Sequence, residues 1–167
     1  MELPKLLTVK KITDERGYFQ KILSQSLQRE LGIEEFKALE MFSTSTTRYG
    51  VRGMHIQVPP CETRKILWVS QGEIIDVLVD VNSGEIFTFK LNENSERALY
   101  IPNSFAHGFQ VISDNATVNY LTDNEFNQEF DSGFHFNSFG FTWPKPIGVV
   151  SKKDQGLASF KEFCAKG

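Results

Sequence analysis

Between Lys65 and Thr122 the chain is a run of apolar segments four to nine residues long, each ended by turn residues. The segments are Lys65 to Val69, Glu73 to Val81, Ile86 to Leu91, Ala98 to Ile101, Gly108 to Ile112 and Thr117 to Thr122. They are too short for ordinary helices and rich in β-branched and aromatic residues, so they read as strands. Asn82-Ser83-Gly84 and Asp114-Asn115 are turn signals, and Ser70-Gln71-Gly72 reads as a hairpin loop. Upstream, Leu6 to Val9, Tyr18 to Leu23, Phe36 to Thr47 and Val51 to Val58 also look extended, the last ended by Pro59-Pro60. Helix is expected only from Ser24 to Leu31, behind a serine cap, and in an amphipathic tail from Leu157 to Ala165 that would close one end of the fold. Many short strands with little helix define an all-β domain: a sandwich, jelly roll or barrel.

At 167 residues the chain is expected to form one domain, residues 1–167, with a substantial core. Most of its fifteen phenylalanines would serve that core. A net charge of −3 argues against a broad nucleic-acid surface, while leaving room for a local cationic pocket. The opening Met1 to Leu7 lacks the apolar run of a signal peptide, and no segment has the length of a membrane span. Cys61 and Cys164 are far apart and form no CxxC pair. A reduced, cytoplasmic protein is the expectation.

Two of the three histidines lie in glycine-flanked apolar segments, Arg52-Gly53-Met54-His55-Ile56-Gln57 and Ala106-His107-Gly108-Phe109. Histidine changes charge most readily near neutral pH, so this placement points to chemistry inside the β core. In a regular strand His55 and Gln57 share a face, and Arg52 points away from His55 unless Gly53 introduces a bulge. Asp76 and Asp80 share one face of an apolar strand, where each needs a partner; His107 suits Asp76 as structural support. His135 reads as a surface or pocket-rim residue. A metal-dependent reading would gather His55, Glu62 and His107 into a two-histidine, one-carboxylate set of the kind that holds iron. Against it, Gln57 is a poor replacement for a ligating histidine, and Glu62 sits in a loop after two prolines.

Further motifs are Asp14-Glu15-Arg16-Gly17-Tyr18-Phe19, Lys65, Gly72-Glu73-Ile74-Ile75-Asp76-Val77, Ile101-Pro102, Tyr120, Trp143-Pro144 and Ser151-Lys152-Lys153-Asp154. With the two histidine motifs, in this order and at this spacing, the chain resembles the nucleotide-sugar 3,5-epimerases of deoxysugar biosynthesis, typified by dTDP-4-dehydrorhamnose 3,5-epimerase. The resemblance covers nearly the whole chain. It implies a cupin-type jelly roll with short peripheral helices that forms homodimers with exchanged N-terminal strands, binds a nucleotide-diphosphate sugar and needs no metal or other cofactor. By the same resemblance His55 is the general base and Asp154 orients it. Lys65 stabilises an enolate, and Tyr120 supplies a proton on the opposite face. Arg52 and Arg16 contact the diphosphate, with Arg16 and Phe19 reaching in from the other subunit. Gln57 and His107 belong to the same implied substrate pocket.

Several implied substrate contacts depart from the family pattern. Phe126 stands where relatives often place a tyrosine that stacks on the base, so stacking survives without the hydroxyl. Lys21 stands where they carry a glutamate near the nucleotide. A lysine only donates, so it cannot accept the N3 proton of thymine, and the base is open to being another, cytosine included. Glu40 and Phe42 replace a common Gln and Asn beside the sugar, and the less polar pocket would suit a sugar lacking a hydroxyl or inversion at a single carbon. The alternatives are a related ketoisomerase, disfavoured by Gln57 where those relatives carry a second histidine, and a non-catalytic sugar-nucleotide binding module.

Overall fold

The computed structural model describes residues 2–166. In chain order the strands are β1 (Lys5–Thr8), β2 (Lys11–Asp14) and β3 (Gly17–Gln20), then helix α1 (Gln25–Leu31), then β4 (Glu40–Thr47), β5 (Val51–Gln57), β6 (Lys65–Gln71), β7 (Glu73–Asp80), β8 (Ile86–Asn92), β9 (Arg97–Ile101), β10 (Phe105–Val111), β11 (Asn115–Thr122) and β12 (Asp131–Gly133). Two short helices follow, α2 (Lys152–Gln155) and α3 (Phe160–Cys164). One sheet has the order β1-β9-β6-β11-β4 and the other β12-β5-β10-β7-β8, while β2 and β3 form a separate hairpin. All the strand pairs are antiparallel. This is a jelly roll, one of the three all-β architectures that the short strands allow.

Alternation builds the interior. Along β11, Ala116, Val118, Tyr120 and Thr122 are buried and their neighbours are not, so the even residues face the opposite sheet. Leu67, Val69, Leu78, Leu91, Leu99, Phe105 and Phe109 meet them between the sheets. The strand β7 is nearly continuously buried because its outer face is covered too. There Phe134, Phe136, Trp143, Phe160 and Phe163, from the chain after β12, pack on Met54, Val77 and Val79. The outer face of the first sheet is covered by Ile33, Phe36 and the α1 side chains. Each fully buried large apolar side chain contributes about 1.5–3 kcal/mol, so the aromatic tail is part of the fold's stability rather than an appendage.

Helix α1 follows its sequence signals. Ser24 Oγ accepts from the Leu27 amide, and Gly32 closes the other end in the left-handed conformation. Three expectations are corrected. The run expected over Tyr18 to Leu23 ends as a strand at Gln20, because Ile22 and Leu23 turn inward to join the cluster around Ile33 and Phe36. The tail helix is limited to Phe160–Cys164, since Ser159 starts a new cap there. Ser70-Gln71-Gly72 is not a hairpin: Ser70 and Gln71 continue β6, and β6 and β7 lie in different sheets. Gly72 turns the chain from one sheet to the other at φ +78°, where a Cβ would lie 2.0 Å from the Asn115 carbonyl oxygen.

Candidate active site

The strands β4 and β5 leave a tight turn at residues 48–50 and enter different sheets, forming the two arms of a wedge. On the β4 arm, register with the buried side of β11 turns Glu40, Phe42, Thr44 and Thr46 inward. On the β5 arm, Gly53 decides the geometry. His107 pairs with His55 and Phe109 with Arg52, so three steps along β5 match two along β10. This bulge brings Arg52 and His55 to one face, the exception to strand alternation that Gly53 permits. Gly53 has φ +128°, and a Cβ there would lie 2.6 Å from the Gly108 Cα. Both glycines are needed for so close an approach.

His55 Nε2 lies 2.9 Å from Asp154 Oδ1. A carboxylate only accepts, so Nε2 is the donor in this contact, and in the neutral ring Nδ1 is the nitrogen with the lone pair. Asp154 is the third residue of α2. Ser151 caps that helix, accepting from the Asp154 amide, and the Gly53 amide donates to Asp154 Oδ2 at 3.1 Å. Burial pushes the Asp154 carboxyl up, but His55, the Gly53 amide and the Ser151 hydroxyl more than offset it and hold it below its ordinary value. The bulge glycine therefore shapes the strand and also holds the carboxylate behind the base. A second pair, His107 Nε2 to Asp76 Oδ2 at 2.7 Å, is buried at the floor of the wedge.

Tyr120 projects from the opposite sheet. Its ring stacks on Phe42 at 4.7 Å and meets the edge of His107 at 6.0 Å. Burial and the negative charge of Asp76 raise its pKa well above the phenol value, while Thr44 and Arg52 act weakly the other way. It is a protonated donor throughout the neutral range. Lys65 shares the inward face of the same sheet, as the strand neighbour of Thr122. Burial lowers its pKa, and the charges of Asp131 and Asp76 partly restore it. Arg52 donates to Thr46 Oγ1 at 2.7 Å and to the Ser45 carbonyl at 3.2 Å. It has no ion-pair partner among the described residues. It borders a cleft of about 250 Å³ shared with Ser45, Thr46, Ser151 and Asp154. The wedge thus holds a carboxylate-held imidazole, a buried phenol, a buried lysine amine and a guanidinium without an ion-pair partner.

Other expected residues fall around this group. Phe126 is 60% exposed, and its amide donates to Glu40 Oε2. Both ends of the Gln57 amide are bonded to the backbone of Asn127. Arg16, Phe19 and Lys21 lie on or just after the β2–β3 hairpin, with Arg16 paired to Asp14, and this chain does not bring them into its own wedge. His55, Glu62 and His107 do not converge; no group of three potential metal ligands forms among the described residues. His135 is half-buried, with Nδ1 accepting from the Asn137 amide. Two residues escaped sequence reasoning. Asp131 neighbours Gln57 across β12 and β5, and it pairs with Lys153, beside Asp154. The sole sequence signal for Lys153 was its place in the Ser151 to Asp154 motif; Asp131 had none.

A sequence profile described as dTDP-4-dehydrorhamnose 3,5-epimerase matches residues 2–162. The chain belongs to the dTDP-4-dehydrorhamnose 3,5-epimerase family. A family member from Methanothermobacter thermautotrophicus, dTDP-4-dehydrorhamnose 3,5-epimerase, is 32% identical over 160 residues, spanning 90% of this chain and 85% of that protein. The crystal structure of the Sulfolobus tokodaii dTDP-4-dehydrorhamnose 3,5-epimerase superposes with a TM-score of 0.88 at 30% identity, covering 95% of this chain and 91% of that one. A Legionella pneumophila epimerase solved in complex with dTDP-4-keto-L-rhamnose gives a TM-score of 0.91 at 26% identity, covering 98% and 90%. The epimerase family fold is therefore shared from end to end, and the cupin-type jelly roll expected from the resemblance is the fold observed.

Proposed function

We infer that this epimerase-family protein inverts C3, C5 or both in a nucleotide-linked 4-keto-6-deoxy sugar, in deoxysugar biosynthesis. A ketone at C4 acidifies the adjacent C–H bonds, because the electron pair left behind delocalises onto oxygen. His55 Nδ1 takes the proton, and Asp154 stabilises the imidazolium that forms. The electron pair moves to the C4 oxygen, where the Lys65 ammonium meets the developing charge. Tyr120 then delivers its proton to the other face of the same carbon and becomes a phenolate. The C4 ketone re-forms as the enolate electrons return to carbon. Arg52 and, from a second subunit, Arg16 hold the diphosphate, and Phe126 stacks on the base. Inversion leaves His55 protonated and Tyr120 ionised; after product release His55 gives its proton to solvent and Tyr120 takes one back, so side-chain proton transfers close the cycle without a metal or organic cofactor.

One observation carries the reading: His107 is the cross-strand partner of the carboxylate-held His55, and Tyr120 of the opposite sheet packs on the edge of that same His107 ring. Incubation in deuterium oxide with a panel of 4-keto-6-deoxy nucleotide sugars tests it. NMR should find deuterium at C3, C5 or both in an inverted product; unlabelled sugar across the panel would refute it. A ketoisomerase would need a further base near His55. The amide at Gln57 is engaged by Asn127 instead, which favours epimerisation.

The finer reading concerns base, assembly and place. Lys21 favours a base other than thymine, a CDP-sugar being one candidate. Titrating His55→Asn with dTDP, CDP, GDP and UDP decides it, and a clear preference for dTDP would end the idea. The chain is taken as one domain that works as a homodimer, its hairpin crossing to the partner. Cytoplasmic placement agrees with the unpaired Cys61 and Cys164. No helix among the described residues is long and apolar enough to cross a membrane.

A further inference from the structure

We propose that Glu40 and Gln57 are positioning residues that clamp the segment 124–130 across the open end of the wedge and so preset Phe126 as the platform for the substrate's nucleoside. The proposal rests on the epimerase reading above. Its basis is a division of labour between consecutive residues. The Phe126 amide donates to Glu40 Oε2 at 2.9 Å. The next amide, Asn127, donates to Gln57 Oε1 at 3.0 Å, and Gln57 Nε2 returns a bond to the Asn127 carbonyl at 3.2 Å. Glu40 is the first residue of β4 and Gln57 the last of β5, so each stands at the end of its arm farthest from the turn at 48–50. Because the arms belong to different sheets, the segment is a strap tied to both.

The ends of the strap are fixed too. Asp123 accepts from the Arg64 amide and from Arg64 Nε, and the Val58 amide donates to the Phe130 carbonyl. Gln57 is only 6% exposed. Lifting the strap would strand both a buried donor and a buried acceptor, which is costly. Phe126, by contrast, keeps a largely exposed ring on this fixed backbone. A flat aromatic face held in place needs little ordering when a base stacks on it. Glu40 thereby acquires a task in this chain, holding backbone, that differs from touching sugar.

The experiment separates the nucleoside from the diphosphate. Calorimetry compares inorganic pyrophosphate with whichever of dTDP, CDP, GDP and UDP the unaltered protein binds best. Glu40→Ala and Gln57→Ala should each weaken the nucleoside diphosphate about tenfold, as expected for losing a buried or charge-assisted hydrogen bond. Pyrophosphate should stay within about twofold, since Arg52 is untouched. Retained pyrophosphate binding also shows that each variant is folded. Glu40→Gln should restore nucleotide binding, because its amide oxygen still accepts from Phe126. Equal weakening of both probes, no weakening of either, or failure of Glu40→Gln to rescue would overturn the proposal. If the unaltered protein binds neither probe, the epimerase reading itself fails and the strap's role goes with it.

Discussion

The role proposed for Lys65 at the enolate requires an ammonium, and its surroundings make that charge fragile. Burial lowers its pKa, while Asp131 and Asp76 hold it up. A lowered lysine loses its proton at a lower pH than usual, so the alkaline limb of kcat/KM should fall below the ordinary lysine value of about 10.4. Asp131→Asn removes a negative charge that supports the ammonium, so the limb should move to still lower pH; a pH–rate profile with an unmoved limb would exclude the coupling. Tyr120 makes a complementary case. Its phenol is held protonated, so Tyr120→Phe should cut inversion by about 10²- to 10⁴-fold, the usual worth of a general acid. Deuterium uptake with retained configuration should fall much less, and equal losses by NMR would count against the second-face role. The sequence disclosed these sites unevenly. His107 and Asp76 were pairable from the cost of burying a carboxylate in an apolar strand. His55 and Asp154, 99 positions apart, met only through the family resemblance, because no local rule links a strand histidine to a distant helix turn.

The bulge in β5 was legible as a condition: Arg52 and His55 can share a face only if Gly53 breaks the two-residue period. That condition is met, with a backbone angle and a close approach that a side chain would disturb. Gly53→Ala should therefore cost about 1–3 kcal/mol of stability, seen as a melting temperature lowered by several degrees. It should also weaken pyrophosphate binding by displacing Arg52; an unchanged Tm with intact binding would mean that the element tolerates a Cβ. The corner at Gly72 taught the opposite lesson. Two alternating apolar runs joined by a short polar turn look alike whether the strands pair or the chain crosses to the facing sheet. Strand periodicity reports which residues point inward, not which strand lies alongside, and that choice is settled by the packing of both sheets together. The lengths of β3 and α3 were set in the same way, by Ile22 and Leu23 joining the core and by the Ser159 cap.

The β2–β3 hairpin raises the question at the scale of the whole molecule. A two-stranded hairpin is marginal alone in water, yet this one turns outward an Ile12–Phe19 cross-strand pair that is 67% and 59% exposed. Arg16, which the proposed function assigns to the diphosphate, sits at its tip and not in the wedge of its own chain. A C2 dimer resolves both facts, because each hairpin would cover its apolar face on the partner and deliver Arg16 to the partner's Arg52. Sedimentation should then show a dimer, and Ile12→Asp should yield a monomer with little activity. The decisive test is complementation between two inactive variants, Arg16→Ala and His55→Asn. If the tip acts in trans, a mixed dimer has one site with an intact His55 served by the partner's intact Arg16. Random re-assortment makes half the dimers mixed, so activity should recover to about a quarter of the unaltered protein's. If Arg16 serves its own chain, every site in the mixture lacks one of the two groups. Co-refolding the pair would then recover nothing.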